Sequence, residues 1–496
     1  MSLYLTEIAR IGGALLMALY AILSFVTLLY RTEKKRMWIY VTQSVLMALI
    51  QFALFLQMII KTGDMTYLFF FAFQAIILLA TIVMHRLIYP DGNLLIVNNM
   101  CLLLMISMAV LTRLSGNQAI RQFIIVVASI IVALCVPALI HLARKLPELQ
   151  WVYAIVGLLP LLVVLILGSA INGSNINYSI GGLTFQPSEF VKIIFVFYVA
   201  AALAKTDDFL SLVAPALIAG LYVAILVLSK DLGAGLIFYI AFVLMLYIAR
   251  DRIFWLIFGT GMGAAACVVA YRLFPHVRNR VAAFLDPWSA IEGAGYQVAQ
   301  SLFGISLGGP FGLGLYGGKP EAIPFVSKDF IFSAISEELG IVFAVSLLAV
   351  CLSTGLMILT ISGRIRDPFY RLLTAGFGVI YLFQVFLTVG GGTKFIPLTG
   401  VTLPLVSYGG SSVLSTILMF GILQGVMLIR ADEHRTAVER LMNDREAYDR
   451  VRREKNRRKN ERADRGEILH GVMHDAADAV KDAADVVKDM IHEEED

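Results

Sequence analysis

Charge is scarce in this chain. Of 496 residues, 15% are Asp, Glu, Lys or Arg and 59% are hydrophobic, and the mean hydropathy is +0.80. A soluble globular protein of this size cannot cover its surface from such a composition. Cysteine is scarce too. Cys101, Cys135, Cys267 and Cys351 all lie inside apolar runs, so they read as small hydrophobes and argue against a disulfide framework. The seven histidines show no ligand spacing, so no metal site is expected. There is no Walker A sequence and no H-E-x-x-H. GLGLYG (312–317) matches G-x-G-x-x-G formally, but no strand precedes it and no helix follows at once. Its glycines are expected instead to permit a tight loop packed close to the membrane. The net charge of +4 is small, and no nucleic-acid partner is expected.

What the chain has is long apolar runs. About thirteen reach or approach the ~20 residues that cross a bilayer. They are 11–30, 37–60, 67–88, 94–112, 120–141, 151–171, 189–204, 210–228, 233–249, 253–272, 331–361, 371–391 and 408–430. This predicts an all-α, polytopic membrane protein. The first run ends in RTEKKR and not in a small-residue cleavage site, so it is expected to remain as a span. The 331–361 run is long enough to tilt or to start outside the bilayer. Arg31, Lys34, Lys35, Arg36, His141, Arg144, Lys145, Arg250, Arg252, Arg364, Arg366 and Arg371 fall on one side if the N-terminus is outside and the C-terminus cytoplasmic. The long loop 273–330 then lies outside. It carries Arg278, Arg280, Lys319 and Lys328, which suit an anionic ligand. Residues 431–496 form a charged tail with two near-identical heptads, DAADAVK and DAADVVK. They read as a solvated helix, or as a helix that meets anionic lipid or a partner.

Candidate functional groups cluster at the outer ends of the runs. Asp329 stands between the loop and the apolar segment that begins at Phe330, with Glu337 and Glu338 two turns on. It reads as a helix cap, as a catalytic acid or base, or as both. Glu189 and Lys192, in QPSEFVK, share one helical face and can pair. They either hold spans together or line a cavity. Lys230 and Asp231, in SKDLGAG, close one span and open the next, as a cap would. Arg280 belongs to an interfacial stretch anchored by Trp288, and its planar fork also suits phosphate. The stretch IPLTGVTLPLVSYGGSS (396–412) is irregular backbone at the outer end of the last span, which protein must bury or a cavity must solvate.

Together these stretches resemble the SEDS family (FtsW/RodA/SpoVE), the peptidoglycan polymerases of bacterial elongation, division and sporulation. The matching pieces are QPSEFVK (186–192), KDLGAG (230–235), NRVAAFLDPW (279–288), GYQVAQS (295–301), GGPFGLGL (308–315), DFIFSAISEELG (329–340) and PLTGVTLPLVSYGGSS (397–412). The resemblance covers about residues 94–430. It implies a ten-span core in 93–430, about three extra spans in 1–92 and a cytoplasmic tail in 431–496. It also implies polymerisation of lipid II outside the cytoplasmic membrane, beside a class B penicillin-binding protein. Asp329 corresponds to the family's essential acid. Glu189, Lys192, Asp231, Arg280, Gln297, Lys319 and Ser407 are carried as substrate-binding candidates, with Arg280, Lys192 and Lys319 facing the pyrophosphate. A divalent cation could share that task, although no dedicated ligand set is visible. Ser327-Lys328 stands where the family usually has His-Thr, and Pro310 where it has an aromatic residue. A lipid-linked precursor flippase and a non-catalytic scaffold are the rival readings.

Overall fold

The computed structural model describes residues 2–443, apart from residues 31, 32, 144, 168, 172, 173, 181, 182, 207, 290 and 294. The tail heptads lie outside the described residues. In hydrocarbon a chain must satisfy its own backbone groups, so apolar runs become helices. The helices are α1 (Ser2–Leu29), α2 (Glu33–Thr62), α3 (Thr66–Ile88), α4 (Leu94–Leu114), α5 (Gly116–Leu142), α6 (Gln150–Leu167), α7 (Pro187–Leu203) and α8 (Val213–Leu228). They continue with α9 (Leu232–Arg250), α10 (Ile253–Leu273), α11 (Pro275–Leu285), α12 (Tyr296–Gly308), α13 (Ile331–Ser362), α14 (Pro368–Gly392) and α15 (Gly410–Asn443). Among the described residues, 11 helices are long and apolar enough to cross a membrane. Helices α6 and α7 occupy the other two expected spans. The chain is thus an integral membrane protein, helical as expected.

Two segments differ from the sequence-based expectation. The run 151–171 stops being helical at Leu167 and passes into a small antiparallel sheet, in the order β1 (Ser169–Ile171), β2 (Ser174–Ile180), β3 (Leu183–Phe185). Its sequence explains the switch. NGSNINYSIGG is polar, rich in glycine and asparagine, and carries hairpin dipeptides. The second difference is in α13, which is continuous except at Gly340 (φ 87°, ψ 166°). The long span is therefore two helices joined at a break.

A break at membrane depth frees backbone donors and acceptors, and each needs a partner. The glycine-rich loop after α12 supplies them. Ile341 N donates to Gly309 O (2.9 Å) and Val342 N to Pro310 O (3.1 Å). In the other direction Leu313 N donates to Glu337 O (2.9 Å) and Gly314 N to Glu338 O (2.8 Å). Contact this close leaves no room for side chains. A Cβ on Gly308 would stand 1.9 Å from the Ser336 carbonyl oxygen, and one on Gly312 2.2 Å from that of Glu338. Gly312 also needs its positive φ of 78°.

The loop is fastened from three sides. Arg113 of α4 reaches Glu338 through Nη2 (2.9 Å) and Nε (3.0 Å), and its other arm meets Glu321. The guanidinium lies 4.2 Å from the Tyr316 ring centre. Backbone N–H groups of Tyr316 and Lys319 donate to the carboxylates of Glu338 and Glu337. Both Glu side chains are buried and are accounted for as anchors of the loop. The third side is the N-terminal helices. Arg10 Nη1 donates to Gly312 O (2.6 Å), Leu315 N donates to Gln57 Oε1 (3.3 Å), and the hydroxyls of Tyr67 and Tyr316 are 2.8 Å apart. Deeper in the bundle, Asn99 of α4 joins Tyr20 and Ser24 of α1 to Ser353 and Thr354 of α13. Helices α1–α3 thus brace the loop and α13.

Gly312→Ala is expected to destabilise the protein by at least about 2 kcal/mol, because both φ and space forbid a Cβ there. A clear fall in melting temperature in detergent checks this. Substitution at Gly12, which has open space beside it, should leave the melting temperature almost unchanged.

Candidate active site

The loop that ends at Asp329, the turn before α9, helices α11 and α12, and the segment 391–402 enclose a cleft of about 430 Å³. The starts of α9 and α12 and the end of α14 all reach it. Asp231, Arg280, Gln297 and Asp329 line it, so four of the eight residues singled out in the sequence meet there. Lys230, Lys328, Lys394 and Asn279 line it too. Four basic groups against two carboxylates make the cleft cationic, the sign that an anionic substrate requires.

Asp329 is not used as a cap. Helix α13 starts at Ile331, its N-cap position is Phe330, and no side chain caps it. Among the described residues no hydrogen bond reaches the Asp329 carboxylate. Its surroundings are Lys328, Arg280 and Gly400. Arg280 Nη2 and Asp329 Oδ2 lie 3.7 and 3.8 Å from the point where a Gly400 Cβ would stand. Gly400 has a φ of 77°, which a glycine adopts without strain. Arg280 is steadied by donating to Thr399 O (3.0 Å). Desolvation in the cleft raises the Asp329 pKa from 3.8 to about 6, against the lowering pull of Lys328 and Arg280. Arg280 is itself pulled down by burial, against the opposing pull of Asp329 and Asp231. An unbonded carboxylate tuned towards neutrality can accept a proton, which an ordinary aspartate does poorly.

Asp231, by contrast, is a cap. One oxygen accepts from Ala234 N (3.1 Å) and the other from Ser188 Oγ (3.2 Å). Burial raises its pKa, although these hydrogen bonds oppose the rise. It faces the cleft from a fixed position. Gln297 lines the opposite wall, on α12.

The other four candidates are not among the lining residues. Lys192 Nζ donates to Glu189 Oε2 (2.5 Å) and Gln384 Oε1 (3.0 Å), and Ser415 Oγ donates to Glu189 (3.2 Å). That pair ties α7 to α14 and α15. Gln384 in turn donates to Thr402 O (3.1 Å), beneath the cleft wall. Ser407 is buried. Its hydroxyl donates to Lys328 O and accepts from Leu403 N, while Tyr408 N donates to Ser327 O (2.7 Å). The SYGGSS stretch therefore pins the residues just before Asp329. The Lys319 side chain is exposed and its backbone serves Glu337.

Sequence reasoning did not single out Lys394 or Asn279. Lys394 follows three glycines at the end of α14, with a left-handed φ of 57°; Lys230 has a φ of 64°. Such backbone in non-glycine residues is costly and concentrates at functional sites. A lone lysine after GGGT at an outer helix end was the available signal for Lys394. Among the described residues no three His, Cys, Asp or Glu side chains gather to hold a metal ion. A divalent cation in the cleft would have to bind Asp231 or Asp329 together with substrate phosphates.

The raised pKa of Asp329 makes stability depend on pH. A carboxyl whose folded pKa lies above its unfolded value stabilises the fold only while protonated, and that contribution is lost as pH rises through about 6. Asp329→Asn removes a cost of at most about 3 kcal/mol at neutral pH. The variant is expected to melt higher than the parent at pH 8 and to lose that advantage near pH 4. Identical melting curves across this range would show that Asp329 is ordinarily solvated.

Similarity to known proteins agrees with this geometry. The sequence model of the FtsW/RodA/SpoVE family, described as "Cell cycle protein", matches residues 93–431. The peptidoglycan glycosyltransferase RodA of Mycobacterium tuberculosis (strain ATCC 25618 / H37Rv) is 38% identical over 299 residues, covering 56% of this chain and 64% of that protein. The chain therefore spans slightly less than two thirds of that relative. The probable peptidoglycan glycosyltransferase FtsW of Shewanella sediminis is 32% identical over 337 residues, covering 65% and 80%. A chain of a solved peptidoglycan synthase complex that coordinates polymerization and crosslinking superposes with a TM-score of 0.60 at 26% identity, covering 68% of this chain and 98% of that one. The crystal structure of the Thermus thermophilus rod shape determining protein RodA shares the fold, with a TM-score of 0.53 at 24% identity over 68% of this chain and 96% of that one. On the family match over most of its length, the chain belongs to the FtsW/RodA/SpoVE family.

Proposed function

We propose that the protein is a peptidoglycan glycosyltransferase that polymerises lipid II into glycan strands on the outer face of the cytoplasmic membrane. The observation that carries this reading is the state of Asp329. It is a carboxylate left out of the helix cap, desolvated and, among the described residues, free of hydrogen bonds, in a cleft rimmed by Lys230, Arg280, Lys328 and Lys394. The relatives' names support the same reaction class.

In this mechanism Asp329 accepts the proton from the sugar hydroxyl of one lipid-linked disaccharide. The hydroxyl oxygen forms a bond to the anomeric carbon of the second. The bond from that carbon to the pyrophosphate oxygen breaks, and polyprenyl pyrophosphate leaves. Arg280 and Lys394 meet the negative charge that develops on it, and Asp329 passes its proton to water. Arg280, anchored on Thr399 O, holds its fork in place as charge builds. Asp231 and Gln297 contact the sugar. Glu189, Lys192 and Ser407 act by holding the cleft walls, and Lys319 acts through its backbone. The lipid tail stays in the bilayer while the head group enters from above.

The orientation is N-terminus outside and C-terminus cytoplasmic. It is supported by the basic short connections, which alternate to one side, and by the cleft, whose walls all lie on the other. Residues 93–430 form the polymerase core, 1–92 brace it, and 431–496 form the tail. A class B penicillin-binding protein is the partner that would crosslink the strands. This is supported by the likeness to a chain of a peptidoglycan synthase complex.

Asp329→Asn in purified protein is expected to lower glycan-chain formation from labelled lipid II about 100-fold or more, the scale of a general base. Lys394→Met is expected to lower kcat for lipid II polymerisation, with a smaller effect on KM. The wild-type rate should fall as pH drops through about 6, where the base becomes protonated. Chain formation by Asp329→Asn at the wild-type rate would remove this residue from the mechanism. Flipping of lipid II in vesicles with no polymer in detergent would replace the polymerase by a transporter.

A further inference from the structure

The face of the protein opposite the active cleft carries a second cavity, of about 140 Å³. It lies where the N-terminal helices meet the family core. Arg36 and Tyr40 come from α2, Arg364 from the turn between α13 and α14, and Arg430 and His434 from α15. The start of α4, at Asn93 and Leu94, closes it, so the positive end of that helix dipole adds to the potential. Residues far apart in sequence thus bring three guanidinium groups to one small cavity. Its lining acid, Asp91, is already engaged. Arg435 Nη2 holds both its oxygens, at 2.9 and 3.0 Å. The nearby Asp432 turns to His141 (2.6 Å).

The cavity is also amphipathic. Met37, Leu94 and Met427 line it beside the arginines. Trp38, next to Met37, is 75% exposed, the setting of an aromatic anchor at headgroup level. A cavity of this volume is equivalent to about four or five waters in the liquid, enough for a phosphate and the first atoms of its substituent. Arginine forks match phosphate oxygens, and basic clefts between helices on the cytoplasmic side take anionic lipid heads. A soluble phosphoester offers the same charge. The apolar wall and the headgroup depth favour one that carries acyl chains.

We propose that this cleft binds the phosphate of an anionic phospholipid in the cytoplasmic leaflet, where it joins the N-terminal helices to the core. The leaflet assignment rests on the orientation proposed above. Binding itself does not, because a nanodisc presents both leaflets, so the two can fail separately.

The test uses the full chain in nanodiscs of phosphatidylcholine mixed with phosphatidylglycerol, followed by native mass spectrometry of the retained lipid. The wild type is expected to retain phosphatidylglycerol in preference to phosphatidylcholine. Retention should fall roughly fivefold for each arginine removed in the series Arg364→Gln, then Arg36→Gln, then Arg430→Gln. Arg364 is exposed, so the first variant tests the cleft without disturbing packing. Glycerol 3-phosphate in solution is expected to compete weakly. Equal retention of the two lipids by the wild type would overturn the proposal, and so would unchanged retention in the triple variant. Displacement of the lipid by glycerol 3-phosphate at equal concentration would assign the cleft to a soluble phosphoester and overturn the lipid.

Discussion

A broken helix inside a membrane must have its freed backbone groups satisfied by protein, and that requirement organises this molecule. Gly340 interrupts α13, and the loop at 309–314 answers it with four backbone hydrogen bonds. Everything nearby serves that junction. Gly308 and Gly312 are glycine because two backbones touch there. Glu337 and Glu338 are carboxylates because the loop turns donors inward. Arg113 is buried because Glu338 is. A buried ion pair of this kind contributes little net stability, but losing one partner would leave a charge stranded. It fixes the geometry of the loop more than it strengthens the fold.

The consequence reaches the active cleft through the chain itself. The segment that grips the break at 309–314 continues to Asp329, and α13 begins two residues later. Asp329 therefore sits between two rigid attachments, the broken helix and the SYGGSS turn that holds Lys328 by its carbonyl. Positioning by backbone leaves the carboxylate without a hydrogen-bond partner among the described residues, and open to the cleft. Asp231, one wall away, shows the alternative: a carboxylate saturated by its cap and by Ser188. Two aspartates in one cleft thus have different chemical capacities, set by what already binds them.

Much of this was legible in the residues. Apolar length predicted the 11 helices long enough to cross a membrane, and the basic short connections are what support the proposed sidedness. The polar outer loop and the acid at its end marked the cleft, and Arg280 and Gln297 fell into it. The break at Gly340 was not legible, because a glycine inside an apolar run is also compatible with an unbroken helix; only the loop packed against it decides. The small sheet at 169–185 was missed because hydropathy carried the expected span four residues too far. Glu189 and Lys192 were read as a pair or as cavity lining. Spacing cannot tell which face of α7 meets α14, and the contact with Gln384 could be seen only in three dimensions. Lys394 escaped for a similar reason, as a lone lysine with no motif around it.

The proposed catalysis on a lipid-linked sugar outside the cell requires that Asp329 and its basic neighbours open to that side and the arginine cleft of α2, α4 and α15 to the other. Labelling of single cysteines in intact cells by a membrane-impermeant maleimide tests this most directly, with the four native cysteines replaced. Lys394→Cys is expected to react at once, and Arg364→Cys only after the membrane is permeabilised. The reverse pattern would put acid and sugar on opposite sides of the membrane and contradict the assignment of the cleft.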